Sequence, residues 1–181
     1  MLIREAADEF FLYLEAERGG SPLPTIAYQS AISQFLRFLE DQNVEPTVEA
    51  VTPKLLREFL LSMKRKGLAA STRGRRLYAL RSLWDFLERS DLIATNPCRK
   101  VTVPKSRQQI PDYLTPEECE DLLAATGDQY YTSLATRDLA ALTLLVYTGL
   151  RRQELIDLTL DDIDLVEGTL RVEKGKGNKS R

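Results

Sequence analysis

No histidine occurs among the 181 residues of the chain. That absence excludes every Ser-His or Cys-His nucleophile pair, and it removes the commonest general base. Cysteine is scarce as well: Cys98 and Cys119 lie far apart and have no histidine to join them, so neither a disulfide framework nor a metal site is indicated. A reducing cytoplasm suits this composition. Long apolar runs are also missing, since the stretch from Leu139 to Tyr147 is broken by Thr143 and falls well short of the ~20 residues that span a bilayer. The start, MLIREAADEF, reaches Arg4 and Glu5 with no apolar segment behind them, so no secretory signal is expected. Any chemistry must run on Arg, Lys, Asp, Glu or Tyr.

Acid is absent from particular places. The net charge of −2 hides a segregation along the chain. From Phe59 to Trp84 there are seven basic residues, Lys64, Arg65, Lys66, Arg73, Arg75, Arg76 and Arg81, and no acidic one. From Arg99 to Pro111, Arg99, Lys100, Lys105 and Arg107 again lack acidic neighbours, and from Arg171 to Arg181 five basic residues face only Glu173. One such cluster reads as a solvated face; three in a mildly acidic chain suggest a surface for a polyanion.

What is present is helical periodicity. Apolar residues recur on one face at Ala7, Phe10, Phe11 and Leu14, at Tyr28, Ile32, Phe35, Leu36 and Leu39, and at Leu55, Leu56, Phe59, Leu60 and Met63. A fourth helix carries Leu77, Leu80, Leu83, Trp84 and Leu87, with Ser71 or Thr72 as its N-cap. Gly19 to Pro22, Asn43 to Pro46, the Thr52-Pro53 cap and Gly67 mark the breaks, so a small bundle within 1–90 is expected. Residues 90–114, with three prolines and little periodicity, read as an extended connector. A helix then opens at the Thr115-Pro116-Glu117-Glu118 capping box and stops at Gly127. Another runs from about Arg137 to Tyr147 and is apolar enough to be buried on most sides, and Ile163 to Leu165 with Thr169 to Val172 read as two strands joined at Gly168.

The segment YTGLRRQEL, Tyr147 to Leu155, sets two arginines after a helix-ending glycine. With the next helix beginning near Leu150, Arg151 falls in the first turn, where unpaired N–H groups favour an anion. Helical spacing puts Arg151 on the face of Glu154, Leu155 and Leu158, which makes it the inward arginine, and turns Arg152 and Gln153 elsewhere. Two readings stand side by side: a guanidinium offered to a phosphate, or an Arg151–Glu154 pair that stabilises the helix start by a few tenths of a kcal/mol. The tail GKGNKSR reads as a basic hairpin tip; it lacks the spacing of a Walker loop, so nucleotide binding is not indicated.

Taken together, YTGLRRQEL, VEKGKGNKSR and STRGRRLYALRSLWDFLERSDLIATNPCRKVTVPK resemble the tyrosine recombinases, the Xer-type and phage-integrase DNA strand-exchange enzymes. The first is similar to that family's T-G-L-R-x-x-E-L box, the second to its lysine hairpin, and the third to the last helix and connector of its core-binding domain. Gln153 stands where Ser or Thr is frequent in the box. The resemblance implies a mainly α fold: an N-terminal four-helix, SAM-like core-binding bundle over 1–105, then the opening helices and β-hairpin of an α+β catalytic domain over 112–181. It implies Arg151 as first catalytic arginine, Lys176 as hairpin lysine and Glu154 in support, with no cofactor and no metal. It places Arg75 and Arg81 on the helix that approaches DNA, and Lys64, Lys66, Arg73, Arg76 and Lys105 join them as candidate DNA contacts. The partners implied are double-stranded DNA and other recombinase subunits on it, in the cytoplasm at the nucleoid, with no membrane.

The family's H-x-x-R box and nucleophilic tyrosine find no match here, and Tyr130, Tyr131 and Tyr147 read as core or helix-surface residues. The expectation is a DNA-binding portion of a recombinase, truncated before those elements and inactive alone. A non-catalytic DNA-binding regulator or competitor at recombination sites is the alternative, and a helical scaffold with solvated basic clusters is a third reading.

Overall fold

Each of the four amphipathic segments of the first half forms the helix that its spacing predicts: α1 (Ile3–Arg18), α2 (Leu23–Asp41), α3 (Pro53–Arg65) and α4 (Ala70–Arg89). The protein is described by a computed structural model over residues 1–18, 23–105, 111–126 and 132–172. The chain divides into two compact units, Met1–Gln109 and Ile110–Arg181.

In the first unit the apolar faces meet in one core that holds Ile3, Phe10, Phe35, Leu39, Leu56, Leu77, Leu80, Leu83, Trp84 and Leu87, all at most 1% exposed. Phe35 sits edge-on to both Phe59 (5.1 Å between centroids) and Trp84 (6.2 Å), an arrangement that the ring quadrupoles favour. Phe11, Tyr28 and Leu36 only lean on this core from its rim. Thr52 caps α3 as expected, its hydroxyl accepting the Leu55 N–H at 3.2 Å with Pro53 at the first helical position. Gly67, at φ +78°, closes α3, and the Leu68 N–H donates to the Met63 carbonyl.

Two expectations are corrected in this unit. Helix α4 starts at Ala70 with Ala69 as its cap and no side-chain bond there, so neither Ser71 nor Thr72 is the N-cap. The chain turns straight from the Gly67 closure into the next helix and leaves no extended residue at Ser71. The connector also is not extended from residue 90: Pro97–Lys100 forms a 3-10 turn capped by Asn96, and Cys98 (0% exposed) and Val101 (3%) are core residues. Burying these two apolar side chains against α3 and α4 outweighs the low periodicity of the segment.

In the second unit, α5 (Pro116–Ala125) opens on the expected capping box, in which Thr115 Oγ1 accepts the Glu118 N–H and the Glu118 carboxylate accepts the Thr115 N–H. Helix α6 (Thr132–Thr148) starts earlier than expected, and α7 (Arg152–Asp157) is short. A 3-10 turn at Leu160–Asp162 leads into β1 (Ile163–Asp164) and β2 (Thr169–Leu170), antiparallel with Ile163 opposite Leu170. Gly168 at φ +63° and two N–H bonds to Asp164 Oδ1, from Val166 and Glu167, build the turn.

The expectation that α6 is buried on most sides is not met. No residue from Leu134 to Thr148 is buried, and Tyr147 is 72% exposed. Within the described part of this unit, α5, α7 and a two-stranded hairpin cover too little of its surface. Gly127, Tyr130 and Tyr131 lie outside the described residues. No described helix is long and apolar enough to cross a membrane.

Candidate nucleic-acid interface

The acid-free stretch 59–84 folds into the end of α3, the Gly67 turn and most of α4, so its cations are shared between solvent and the bundle. Lys64, Lys66 and Arg75 are exposed, as is Lys105 on the connector. The other three candidates have partners in the protein. Arg73 Nε donates to the Leu68 carbonyl at 3.2 Å, and Arg76 Nη1 lies 3.2 Å from the Met63 sulfur. Burial lowers the Arg76 pKa from its ordinary value, although a guanidinium stays charged.

Arg81 is the most committed. Its Nη2 donates to the carbonyls of Cys98 (3.2 Å) and Val101 (3.1 Å), and its guanidinium lies 5.4 Å from the Tyr78 ring centroid. It is one part of a latch between α4 and the connector. Asn96, 2% exposed, donates through Nδ2 to the Arg81 carbonyl (3.1 Å) and to Asp85 Oδ1 (2.9 Å), and its Oδ1 accepts the Cys98 N–H at 2.8 Å. Arg99 then bridges Asp85 and Glu88, each at 2.7 Å. Those carboxylates raise the Arg99 pKa, the Asp85 bond first among the causes. Sequence reasoning missed Asn96; the signal was there, since Asn before Pro is a turn start and a good cap.

Cys98, inside the latch, has its thiol pKa pushed up to about 12 by burial, a rise that Asp85 adds to and the charge of Arg81 opposes. It is a packing residue. Cys119 is half-buried, and no cluster of metal-binding side chains occurs among the described residues.

In the second unit, Arg151 proves to be the residue before α7, with extended backbone (φ −76°, ψ 153°), and the helix begins at Arg152. The expected place in the first turn is off by one residue. Nor is the helix start vacant for an anion, because Glu154 Oε2 already accepts the Arg151 N–H at 2.8 Å. Arg151 Nη1 donates to Glu154 Oε1 at 2.6 Å, so the stabilising pair considered from the sequence is present.

The pair is asymmetric: the Glu154 side chain is 5% exposed and that of Arg151 is 54% exposed. A fixed carboxylate therefore holds a guanidinium whose outer edge stays in solvent, which is how an arginine is preorganised for a second anion. Arg151 is not turned inward as the spacing suggested; Arg152 is exposed too, and what separates the two is the Glu154 tether. Gln153 bonds Asp157 at 3.0 Å on the outer side. Lys176 lies outside the described residues.

Fold and site define a class: a four-helix bundle with an acid-free cationic flank, followed by a helical and hairpin unit that presents one arginine on a buried glutamate. The chain belongs to the phage integrase, or tyrosine recombinase, family; residues 7–91 match the model of the phage integrase N-terminal SAM-like domain and residues 112–181 that of the phage integrase family. The chain is 37% identical over 172 residues to the tyrosine recombinase XerC of Bacillus pumilus, covering 95% of this chain and 55% of that protein. It is 31% identical over 180 residues to the XerD of Oceanobacillus iheyensis, covering 99% and 59%. The chain thus spans little more than half the length of these relatives.

Among solved structures, a lambda integrase (residues 75–356) dimer bound to a COC′ core site superposes with TM-score 0.77 at 23% identity, over 100% of this chain and 61% of that one. The Tn1549 transposon integrase in complex with transposon right-end DNA gives 0.68 at 22%, over 99% and 56%. The mainly helical, SAM-like fold expected from the sequence is the fold observed.

Proposed function

We propose that this chain is the DNA-binding portion of a site-specific tyrosine recombinase, the part that holds duplex DNA for phosphodiester strand exchange. The observation that carries the reading is the exposed set Lys64, Lys66 and Arg75 at the α3–α4 corner, in a stretch of 26 residues without one acidic side chain. Lys105 and the half-buried Arg73 and Arg76 extend the same positive field, while Arg81 acts on the connector. Such a surface neutralises phosphates without reading bases.

In the second unit, Arg151 is the group to meet charge developing on a phosphodiester, and Glu154 fixes it in place. The chemistry needs no metal where fixed cations do this work. By its family motif Lys176 would supply a second cation or a proton. Other recombinase subunits on the same DNA are the further partner, and the nucleoid is the place of action.

The test is a titration of labelled duplex DNA with the chain over a series of salt concentrations. If about five phosphates are neutralised, log K falls with log[salt] at a slope of about −4 to −5. Arg75→Glu weakens binding to all sequences alike. Salt-independent affinity, or none at low salt, refutes the reading.

A further inference from the structure

The cations that the sequence singled out do not include Arg57, and the connector was expected to be extended chain. The structure brings Arg57 and the connector together. Arg57 Nη2 donates to the Lys100 carbonyl at 3.1 Å, and this pins the segment after the latch across the outer face of α3. Between the two lies a shallow cleft of about 310 Å3, floored by Leu60, Leu61, Val101 and Pro104 and flanked by Arg57, Lys64, Arg73 and Lys100. Among the described residues, no acidic one lines it.

The bland account of such lysines is the helix dipole: Lys64 sits in the last turn of α3, where a cation is stabilised by ~0.3–1 kcal/mol. That account does not reach Arg57, in the first half of the same helix, nor Lys100, on another element. Arg57 and Arg73 each spend one donor on a backbone carbonyl, at 3.1 and 3.2 Å, and keep the rest of the guanidinium. A group held by one prong with its other donors at an open cleft is preorganised for a tetrahedral oxyanion. The apolar floor suits the carbon face of a sugar.

The geometry points to this cleft as a seat for a DNA backbone phosphate, with Arg57 and Lys100 as contacts additional to Lys64 and Arg73. It rests on the reading of this unit as DNA-binding and names a specific place for one phosphate. The latch residues Arg81 and Asn96 position the seat, because they hold Val101 and the chain beyond it against the bundle; they do not touch the phosphate.

The experiment uses the whole chain and a fluorescein-labelled duplex, with anisotropy read at several salt concentrations. Lys100→Gln is compared with Lys54→Gln, which removes the same charge from an exposed position of α3 outside the cleft. Lys100→Gln or Lys64→Gln reduces the salt slope by up to about 1, and the double variant by no more than about 1, because both serve one phosphate. Lys54→Gln leaves the slope unchanged. Both cleft lysines are exposed, so circular dichroism is expected to match that of the unaltered chain.

If Lys100→Gln and Lys64→Gln behave like Lys54→Gln while Arg75→Glu still weakens binding, the cleft is not the seat and the DNA-binding reading stands. If the unaltered chain shows no salt-dependent binding, that reading fails and the seat with it.

Discussion

Replacing Asn96 by alanine tests the latch most directly. The substitution deletes three hydrogen bonds, to the Arg81 carbonyl at 3.1 Å, to Asp85 at 2.9 Å and from the Cys98 N–H at 2.8 Å. Asp85 keeps Arg99 at 2.7 Å and is not stranded, but the Cys98 N–H is left buried without its acceptor. An unsatisfied buried donor costs ~1–3 kcal/mol, and each of the other two lost hydrogen bonds contributes ~0.5–1.5 kcal/mol. Partial relaxation brings the expected loss to about 2–4 kcal/mol of first-unit stability.

Urea unfolding followed by Trp84 fluorescence reads it. With a slope of ~2 kcal/mol per molar urea, the midpoint falls by roughly 1–2 M. Thr95→Ala, at the exposed neighbouring position, stays within about 0.5 kcal/mol. Shifts of equal size for the two variants would refute the latch. Asn96→Asp adds a pH signature: its new carboxylate sits against Asp85, so its folded pKa is raised, and the variant loses stability as pH rises through the carboxylate range.

Three further outcomes follow from the same geometry. Only Cys119 should react with a thiol probe in the native chain; and because the Cys98 pKa is raised from 9.0 to about 12, the stability it supports is complete below pH 9.0 and declines as pH rises toward 12, visible in alkaline urea melts against Cys98→Ala. At Gly74 in α4 the connector comes close, a Cβ there meeting Val103 Cγ1 at 3.2 Å, so Gly74→Leu costs about 1–3 kcal/mol in thermal unfolding despite its better helix propensity. In a chain carrying the family's downstream segment, Arg151→Ala slows cleavage of a nicked substrate by ~10²–10³, while Arg152→Ala stays within about threefold; equal losses would show that the Glu154 tether does not select the working arginine.

Much of this protein is written locally. The stripes Leu55, Leu56, Phe59, Leu60, Met63 and Leu77, Leu80, Leu83, Trp84, Leu87 each repeat with the helical period, and all of these residues are buried where the period puts them. The caps at Thr52 and Thr115 and the turn at Gly168 needed only neighbours within three or four residues. The order of the motifs was enough to find the family. The Arg151–Glu154 pair, three residues apart, was also readable as a pair.

What the sequence left open are contacts between residues distant along the chain. Charge and spacing cannot say whether a guanidinium meets water, a carbonyl or a phosphate. Arg75 and Arg81 look alike in the sequence, yet one is exposed and the other is spent on carbonyls 17 and 20 residues away. The burial of Cys98, the pin from Arg57 to residue 100 and the exposure of α6 have the same origin. Periodicity states which face of a helix is apolar; only packing decides what covers it, and the sum of burial and hydrogen bonds over the whole unit outweighs the local preference of an irregular segment such as 95–101.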